Sequence, residues 1–287
     1  MIFLDNAATT FPKPVVVRNS VSSALQRFGA NPGRSGYPMS MASSEQVYAC
    51  RKELSEFLGG PGPENVAFVL NCTQAVNMVL KGWLKPGDHV VTSDLEHNAV
   101  MRPLEAMKAN GITVTEAHVT IGDHDATVDA FRKALNGRTR LIVCTHASNV
   151  WGARLPIERI GALAKEYQIP FAVDCAQSAG VLPLHMQEMG IDFLCVAGHK
   201  GLYGPMGTGA LITARGSELS TILQGGTGSN SMELEQPEDM PDRFESGTVN
   251  VPGICGLRAG ISFVRQRQES IFRHEMQYVQ QLYDRLG

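Results

Sequence analysis

The sequence reads PFAVDCAQSAG at residues 170–180 and FLCVAGHKGLYGPMGTG at residues 193–209. Each segment begins with a short apolar run that is rich in β-forming residues, and each ends in polar or glycine-rich sequence. Such runs are typical of the buried strands of a parallel sheet. Because α/β proteins bind ligands beyond the carboxyl ends of these strands, the two segments predict an α/β fold with a site near Asp174 and Lys200.

The same pattern extends through most of the chain. Apolar runs predict seven strands, at 66–70, 89–93, 113–118, 141–145, 171–174, 193–197 and 208–213. Amphipathic segments predict helices at 14–28, 41–58, 73–84, 99–110, 126–135 and 157–167. Strands that alternate with helices indicate a mostly parallel seven-stranded sheet flanked by helices.

We expect three parts along the chain. Residues 1–20 form an N-terminal segment near the site, residues 21–255 form a large domain, and residues 256–287 form one long helix with apolar residues at helical spacing. That helix stops without a cap, which favours a C-terminal small domain that is missing from the sequence. A terminal helix packed on the core is the alternative.

Composition excludes several classes of function. Lys and Arg total 25 against 28 Asp and Glu, a net charge of −3 without any block of like charge, so a nucleic-acid partner is not expected. The sequence contains neither a long apolar run nor a signal-peptide pattern, so we expect no membrane association and a cytoplasmic location. Six cysteines without a CxxC pair predict buried, reduced thiols and no metal site.

Lys200 is the candidate nucleophile. A lysine amine attacks a carbonyl group only when it is unprotonated, which requires a partly desolvated position or neighbouring cations. The glycines that follow allow the backbone to approach a ligand closely. A solvated surface lysine is the ordinary alternative, and it would be preferred if this segment stood alone.

Asp174 and Gln177 favour the chemical interpretation. A carboxylate at a strand end can pair with the protonated nitrogen of a pyridine ring, and an amide can hydrogen-bond a phenolic oxygen on that ring. A turn-forming aspartate is the alternative. Because Lys200 follows Asp174 by one strand and one crossover, the two segments together predict a pyridoxal-phosphate site.

At these residues the sequence resembles the class V aminotransferase family of fold-type I pyridoxal-phosphate enzymes, most closely its cysteine desulfurase and selenocysteine lyase branch. The resemblance runs from LDNAATT at 4–10 to RFESGT at 243–248, and it is most specific in the Asp174-x-x-Gln177 and Gly198-His199-Lys200 motifs. It implies that the large domain binds the cofactor, that Lys200 forms a Schiff base with it and moves the Cα proton of the substrate, and that Asp174 and Gln177 bind the ring.

Further positions match motifs of the family. Cys72 and Thr73 begin a helix after a strand, and with His199 they would bind the cofactor phosphate; an ordinary helix N-cap is the alternative. His97 would stack on the ring and take part in catalysis, although a lone histidine is more often a packed or surface residue. Asn149 would lie near the ring and the substrate.

Two assignments concern the surroundings of this site. In relatives, the turn that matches Thr248 reaches the phosphate of the neighbouring subunit, which implies a homodimer with shared sites. Arg34 matches a segment that lines the substrate entrance. Ala197 departs from the family, which commonly has a serine there, so one phosphate contact is lost.

The resemblance implies conversion of L-cysteine to L-alanine, with the sulfur transferred through an enzyme persulfide to an acceptor protein. The nucleophilic cysteine of the family is expected beyond residue 287, since none of the six cysteines matches its motif. Another class V reaction remains open, as selenocysteine lyase or as transamination of a small amino acid. A non-catalytic scaffold is the third interpretation, and it has no chemical need for Lys200, Asp174, Gln177 or His97.

Overall fold

A computed structural model describes residues 2–33, 36–229 and 232–286. Within these ranges one sheet contains β1 (Val66–Val69), β2 (His89–Ser93), β3 (Thr113–Ala117), β4 (Thr139–Thr145), β5 (Phe171–Asp174), β6 (Phe193–Ala197) and β7 (Gly209–Ile212). The order across the sheet is β1-β7-β6-β5-β4-β2-β3. Adjacent strands from β6 to β3 run parallel, whereas β7 is antiparallel to both β1 and β6. The predicted fold, a mostly parallel seven-stranded sheet, is confirmed.

Helices cover both faces of the sheet. They are α1 (Val15–Arg27), α2 (Pro38–Leu58), α3 (Cys72–Trp83), α4 (Asn98–Lys108), α5 (His124–Ala134), α6 (Ile157–Glu166), α7 (Val251–Arg265) and α8 (Gln268–Leu286). Successive side chains of a strand point to opposite faces, so Val66 and Phe68 belong to one apolar cluster, and Ala67 and Val69 to the other. Residues of α3 and α4 complete the second cluster, whereas α2, α5, α6 and α7 contribute to the first.

The C-terminal helix differs from the expectation of one helix over 256–287. The structure has a turn at Gln266 and Arg267 between α7 and α8, where the Arg267 amide donates to the Val264 carbonyl at 2.9 Å. Residue 256 lies within α7, which packs on α1 and α2. Val264 is the last buried residue before the turn, and α8 has no fully buried residue, so the break falls where the helix leaves the core.

No helix in the described ranges combines the length and the apolar character needed to cross a lipid bilayer.

Candidate active site

A cavity of about 320 Å³ lies at the carboxyl ends of β4, β5 and β6. Its wall also includes the first residues of α3 and α4, because these helices follow directly after β1 and β2. The lining residues are Ala8, Asn71, Cys72, Thr73, His97, Ala99, Thr145, Ala147, Asn149, Asp174, Ala176, Gln177, Ala197, His199 and Lys200. The cavity thus brings together eight of the ten site residues suggested by the sequence.

Asp174 ends β5 and is 3% exposed. Its Oδ1 atom accepts hydrogen bonds from the Ala176 amide at 2.8 Å and from the Cys72 thiol at 3.2 Å. Its Oδ2 atom has no hydrogen-bond partner among the described residues. A buried carboxylate with one unpaired oxygen favours a cationic donor in the cavity.

The thiol of Cys72 donates its hydrogen bond to Asp174 and is not free to bind a ligand in the cavity. Burial, and then the Asp174 carboxylate, raise the pKa of this thiol well above its ordinary value, so the thiol stays protonated and donates to Asp174. The prediction that Cys72 binds the cofactor therefore concerns its backbone amide alone.

The start of α3 is suited to an anion. Asn71 caps the helix, because its Oδ1 atom accepts from the Gln74 amide at 3.0 Å. The amides of Cys72 and Thr73 lie in the first turn, where a helix leaves its N–H groups without intrahelical acceptors. These amides and the exposed Thr73 hydroxyl lie at the cavity wall, and the positive end of the helix dipole favours a phosphate there.

The N-terminal segment holds the loop that carries Lys200. The carbonyl of His199 accepts hydrogen bonds from the Thr10 amide at 3.2 Å, the Thr9 hydroxyl at 3.0 Å and the Lys13 ammonium at 2.7 Å. Lys13 also donates to the Thr10 hydroxyl at 2.6 Å. Burial lowers the pKa of Lys13 to about 8. Lys13 is a contact that the sequence did not suggest.

The His199 ring has a defined tautomer. The Thr9 hydroxyl gives its only proton to the His199 carbonyl, so it must accept the Nδ1 proton of the ring, 3.1 Å away. Burial, followed by the charges of Lys200 and Lys13, lowers the pKa of His199. In its neutral form the ring therefore has no proton on Nε2. A hydrogen bond between Nε2 and a phosphate requires a proton on either the ring or the phosphate.

His97 and Gln177 are each fixed by one contact. The Nδ1 atom of His97 caps α4 by accepting from the Ala99 amide at 3.0 Å, which leaves Nε2 as the protonated nitrogen of the neutral ring. The Gln177 side chain donates to the Ala7 carbonyl at 3.1 Å, so the N-terminal segment also reaches the β5 side of the cavity. Asn149 lies exposed in the wall.

Glu96 immediately precedes His97 in the sequence and is not among the predicted site residues. Its Oε1 atom accepts hydrogen bonds from the Thr145 amide at 2.8 Å and from the Ser93 hydroxyl. Thr145 lines the cavity and Glu96 does not, so Glu96 contacts a residue of the cavity wall without lining the cavity itself. An acidic residue beside a candidate catalytic histidine is the only signal that the sequence carries for it.

Two suggested residues are not placed in this cavity. Thr248 lies beside a different cavity of about 220 Å³, and its hydroxyl accepts from the Asn31 side chain at 3.2 Å. A role for Thr248 in a neighbouring subunit stays a prediction. Arg34 lies outside the described residues.

The residues present fit pyridoxal phosphate. The free Oδ2 of Asp174 suits a protonated pyridine nitrogen, and the α3 amides suit the phosphate. Lys200, in the same wall, suits the aldehyde.

Comparisons with known proteins identify the family and the fold. The model of a family described as aminotransferase class-V matches residues 2–287. The chain is 30% identical to a probable cysteine desulfurase of Methanothermobacter thermautotrophicus, over 98% of this chain and 71% of that protein. Among the first three curated relatives, the share of their own length that it spans ranges from 40% to 71%.

Solved structures have the same fold. The apo structure of a cysteine desulfurase from Thermococcus onnurineus matches with a TM-score of 0.89 and 27% identity, covering 99% of this chain and 72% of that one. The structure of SspA in complex with cysteine matches with a TM-score of 0.80 and 27% identity, covering 91% of this chain and 72% of that one.

Proposed function

Because this chain belongs to the class V aminotransferase family, we propose that it binds pyridoxal phosphate at Lys200 and removes sulfur from L-cysteine to give L-alanine. The observation that carries the proposal is the single cavity shared by Lys200, the unpaired oxygen of Asp174 and the first amides of α3. The substrate is supported by relatives named cysteine desulfurase and by the similar SspA structure, which contains cysteine.

Each of these residues would have a separate role. Asp174 Oδ2 would accept a hydrogen bond from the protonated ring nitrogen, Gln177 would hydrogen-bond the phenolic oxygen, and the amides of Cys72 and Thr73 would bind the phosphate. The chemistry that the bound cofactor supplies is stabilisation of the negative charge that develops at the substrate Cα. The amine of Lys200 would accept the Cα proton, and His97 Nε2 would exchange a proton with the substrate.

The sulfur needs a thiolate acceptor, and the cysteines of this chain are poor candidates. All six are buried, and burial raises the pKa of thiols such as Cys144 and Cys195. A thiol in its protonated form is a weak nucleophile. We therefore propose that the sulfur passes to a cysteine outside this set and then to an acceptor protein.

We also propose a homodimer, a role for Arg34 and a cytoplasmic location. A homodimer would place Thr248 at the phosphate of the neighbouring subunit, and Arg34 would line the substrate entrance. A cytoplasmic location agrees with the reduced state expected for six buried thiols.

Absorbance spectroscopy tests the cofactor assignment. Purified protein with added pyridoxal phosphate is expected to turn yellow, and borohydride is expected to fix the cofactor on the peptide that contains Lys200. Lys200→Ala should lose the band, whereas Lys165→Ala, at an exposed position in α6, should keep it. A colourless wild-type protein would favour the scaffold interpretation.

Product analysis tests the reaction. With L-cysteine and a thiol reductant, the expected products are sulfide and alanine in equal amounts. Release of a keto acid would identify a transaminase instead. Turnover of selenocysteine without turnover of cysteine would identify a selenocysteine lyase.

A further inference from the structure

Glu96 bridges two strands at the point where they separate. β2 and β4 pair from His89 to Val91 of β2, and no further pair follows. Beyond this point the Glu96 Oε1 atom accepts from the Thr145 amide of β4, at 2.8 Å, and from the Ser93 hydroxyl of β2. The side chain of Glu96 thus replaces strand pairing at the cavity end of the sheet.

This bridge lies beside both groups that would contact the ring. Glu96 immediately precedes His97, which caps α4. Thr145 is the register partner of Asp174 in the pairing of β4 with β5. A shift of the Glu96 carboxyl would therefore move the His97 turn relative to the Asp174 carboxylate.

The second oxygen of Glu96 has an unusual environment. The residue as a whole is partly buried, but its Oε2 atom has no contact with solvent and no hydrogen-bond partner among the described residues. The titratable groups that face it are Asp174 on β5 and Cys144 on β4, with His97 next to it in the chain. Burial, opposed in part by the two hydrogen bonds at Oε1, raises the pKa of Glu96 to about 8.

We propose that Glu96 is a positioning residue that acts as a neutral carboxylic acid, fixing the His97 turn to the end of β4 without placing a second negative charge beside Asp174. Two ionised carboxylates close together repel each other, which favours the protonated form of one of them. With Glu96 neutral, Asp174 is the carboxylate of the described cavity wall that can pair with a protonated pyridine nitrogen. The inference rests on the proposed function for its purpose, but the protonation of Glu96 does not depend on a cofactor.

The first test measures protonation in protein without added cofactor. Unfolded Glu96 has its ordinary pKa of 4.5 and the folded residue has a pKa of about 8, so between these values the folded state binds the extra proton. Rising pH then favours unfolding. The folding equilibrium constant of the wild type should fall relative to Glu96→Gln, by up to about tenfold per pH unit, across this window. Parallel pH profiles of the two proteins would overturn the proposal.

The second test measures positioning in the cofactor-loaded enzyme. Glu96→Gln keeps an oxygen for Thr145 and Ser93 and has no charge, so its cofactor dissociation constant and kcat should stay near those of the wild type. Glu96→Ala loses both bonds and should lower kcat by on the order of 10- to 100-fold, with a smaller change in KM. Glu96→Asp, which is too short to span the strands, should resemble Ala.

The outcomes separate the two proposals. If Glu96→Gln is as impaired as Glu96→Ala, an ionised carboxylate is required and the neutral-acid proposal is overturned. If Glu96→Ala retains wild-type kcat, Glu96 has no positioning role. If the wild type binds no cofactor, the proposed function fails, and with it the purpose assigned to Glu96, even where the cofactor-free pH profiles show the expected proton.

Discussion

The two carboxylate oxygens of Asp174 have different surroundings: Oδ1 accepts from Ala176 and Cys72, whereas Oδ2 has no partner among the described residues. Asp174→Asn keeps an oxygen that can accept a hydrogen bond from the Ala176 amide. Its side-chain nitrogen, however, cannot accept a hydrogen bond from a protonated pyridine nitrogen. We expect turnover to fall on the order of 10- to 100-fold, because hydrogen bonds to charged groups contribute about 1.5–3 kcal/mol. Cofactor occupancy, measured by absorbance, should change little, since Lys200 and the α3 amides still hold the cofactor.

Asp192→Asn provides a matched control. Asp192 lies at the opposite end of the sheet, where its side chain accepts from the Phe171 amide at 2.9 Å. Turnover of this variant should equal that of the wild type. Equal losses of occupancy and turnover in Asp174→Asn would contradict the role assigned to the carboxylate.

His146 should make the fold sensitive to acid. Both ring nitrogens are buried without a hydrogen-bond partner among the described residues, and burial lowers the pKa of His146 from 6.5 to about 4. Between these values the unfolded chain takes up a proton that the folded chain does not. Relative to a variant without this ring, the free energy of unfolding should therefore fall as the pH is lowered, by up to about 1.4 kcal/mol per pH unit.

Chemical denaturation at several pH values measures this effect. His146→Leu should remove the contribution, so the wild type should lose stability relative to this variant as the pH falls from 6.5 to 4. His124→Leu, at an exposed residue of α5, is the matched control. Identical slopes for wild type and His146→Leu would show that the ring does not control the acid response.

At the residue scale, the sequence predicts the reactive side chains at strand ends but not the residues that hold them in place. Asp174 and Lys200 are visible because each follows an apolar run. Glu96 and Lys13 act through partners that are 49 and 186 positions away in the chain, Thr145 and His199. No local pattern specifies such a pairing.

The N-terminal segment is an element in its own right, since residues without regular structure fix the Lys200 loop. Lys13→Met removes two hydrogen bonds while keeping a long apolar side chain. We expect a loss of about 1–2 kcal/mol in the free energy of unfolding, because Lys13 is only half-buried. Hydrogen exchange should become faster in residues 199–204. Lys52→Met, at a side chain that is 61% exposed, should change neither quantity.

Strand β7 requires a glycine where it meets the start of α3. A Cβ atom at Gly209 would lie 2.7 Å from the Val196 carbonyl oxygen and 2.9 Å from the backbone of Asn71, the cap of α3. Gly209→Ala should therefore destabilise the fold by about 1–3 kcal/mol and weaken cofactor binding, because the phosphate end must shift.

Gly137→Ala is the control for this substitution, since a Cβ atom there meets nothing within 4 Å. Thermal unfolding and titration with pyridoxal phosphate measure the two effects. A Gly209→Ala protein with wild-type affinity would show that the start of α3 does not hold the phosphate.

At the element scale, the hydrophobic pattern reveals each strand but not its neighbour or direction. All seven strands lie where the apolar runs predict them. Yet β7, which is antiparallel to β1 and β6, is as fully buried as β5 and β6, which pair in parallel. The break between α7 and α8 is equally hidden, because apolar residues continue at helical spacing on both sides of the turn.

At the scale of the whole molecule, one buried ion pair joins distant parts of the chain. Arg51 of α2 donates to both carboxylate oxygens of Glu245, at 2.6 and 2.5 Å, and Glu245 also accepts from the Phe68 amide of β1. Removing one partner of a buried pair leaves an uncompensated charge. Glu245→Ala should lower the free energy of unfolding by about 3–5 kcal/mol.

Glu105→Ala is the control for the ion pair. Glu105 pairs with Lys108 at 2.5 Å, but both side chains are exposed, so the loss of stability should be much smaller than for Glu245→Ala. Urea unfolding of the two variants measures the difference. Equal effects would contradict a structural role for the buried pair.

The order of strands has a consequence for how this protein is made. β1 lies at the edge of the sheet and pairs with β7 alone in the described part of the chain. A nascent chain on the ribosome therefore carries β1 without a partner until residues 209–212 have emerged, after Lys200 itself. Because β7 approaches the backbone of Asn71, we expect the start of α3 to reach its final position only then. If the proposed cofactor binds there, a chain that stops before β7 should lack a complete phosphate site.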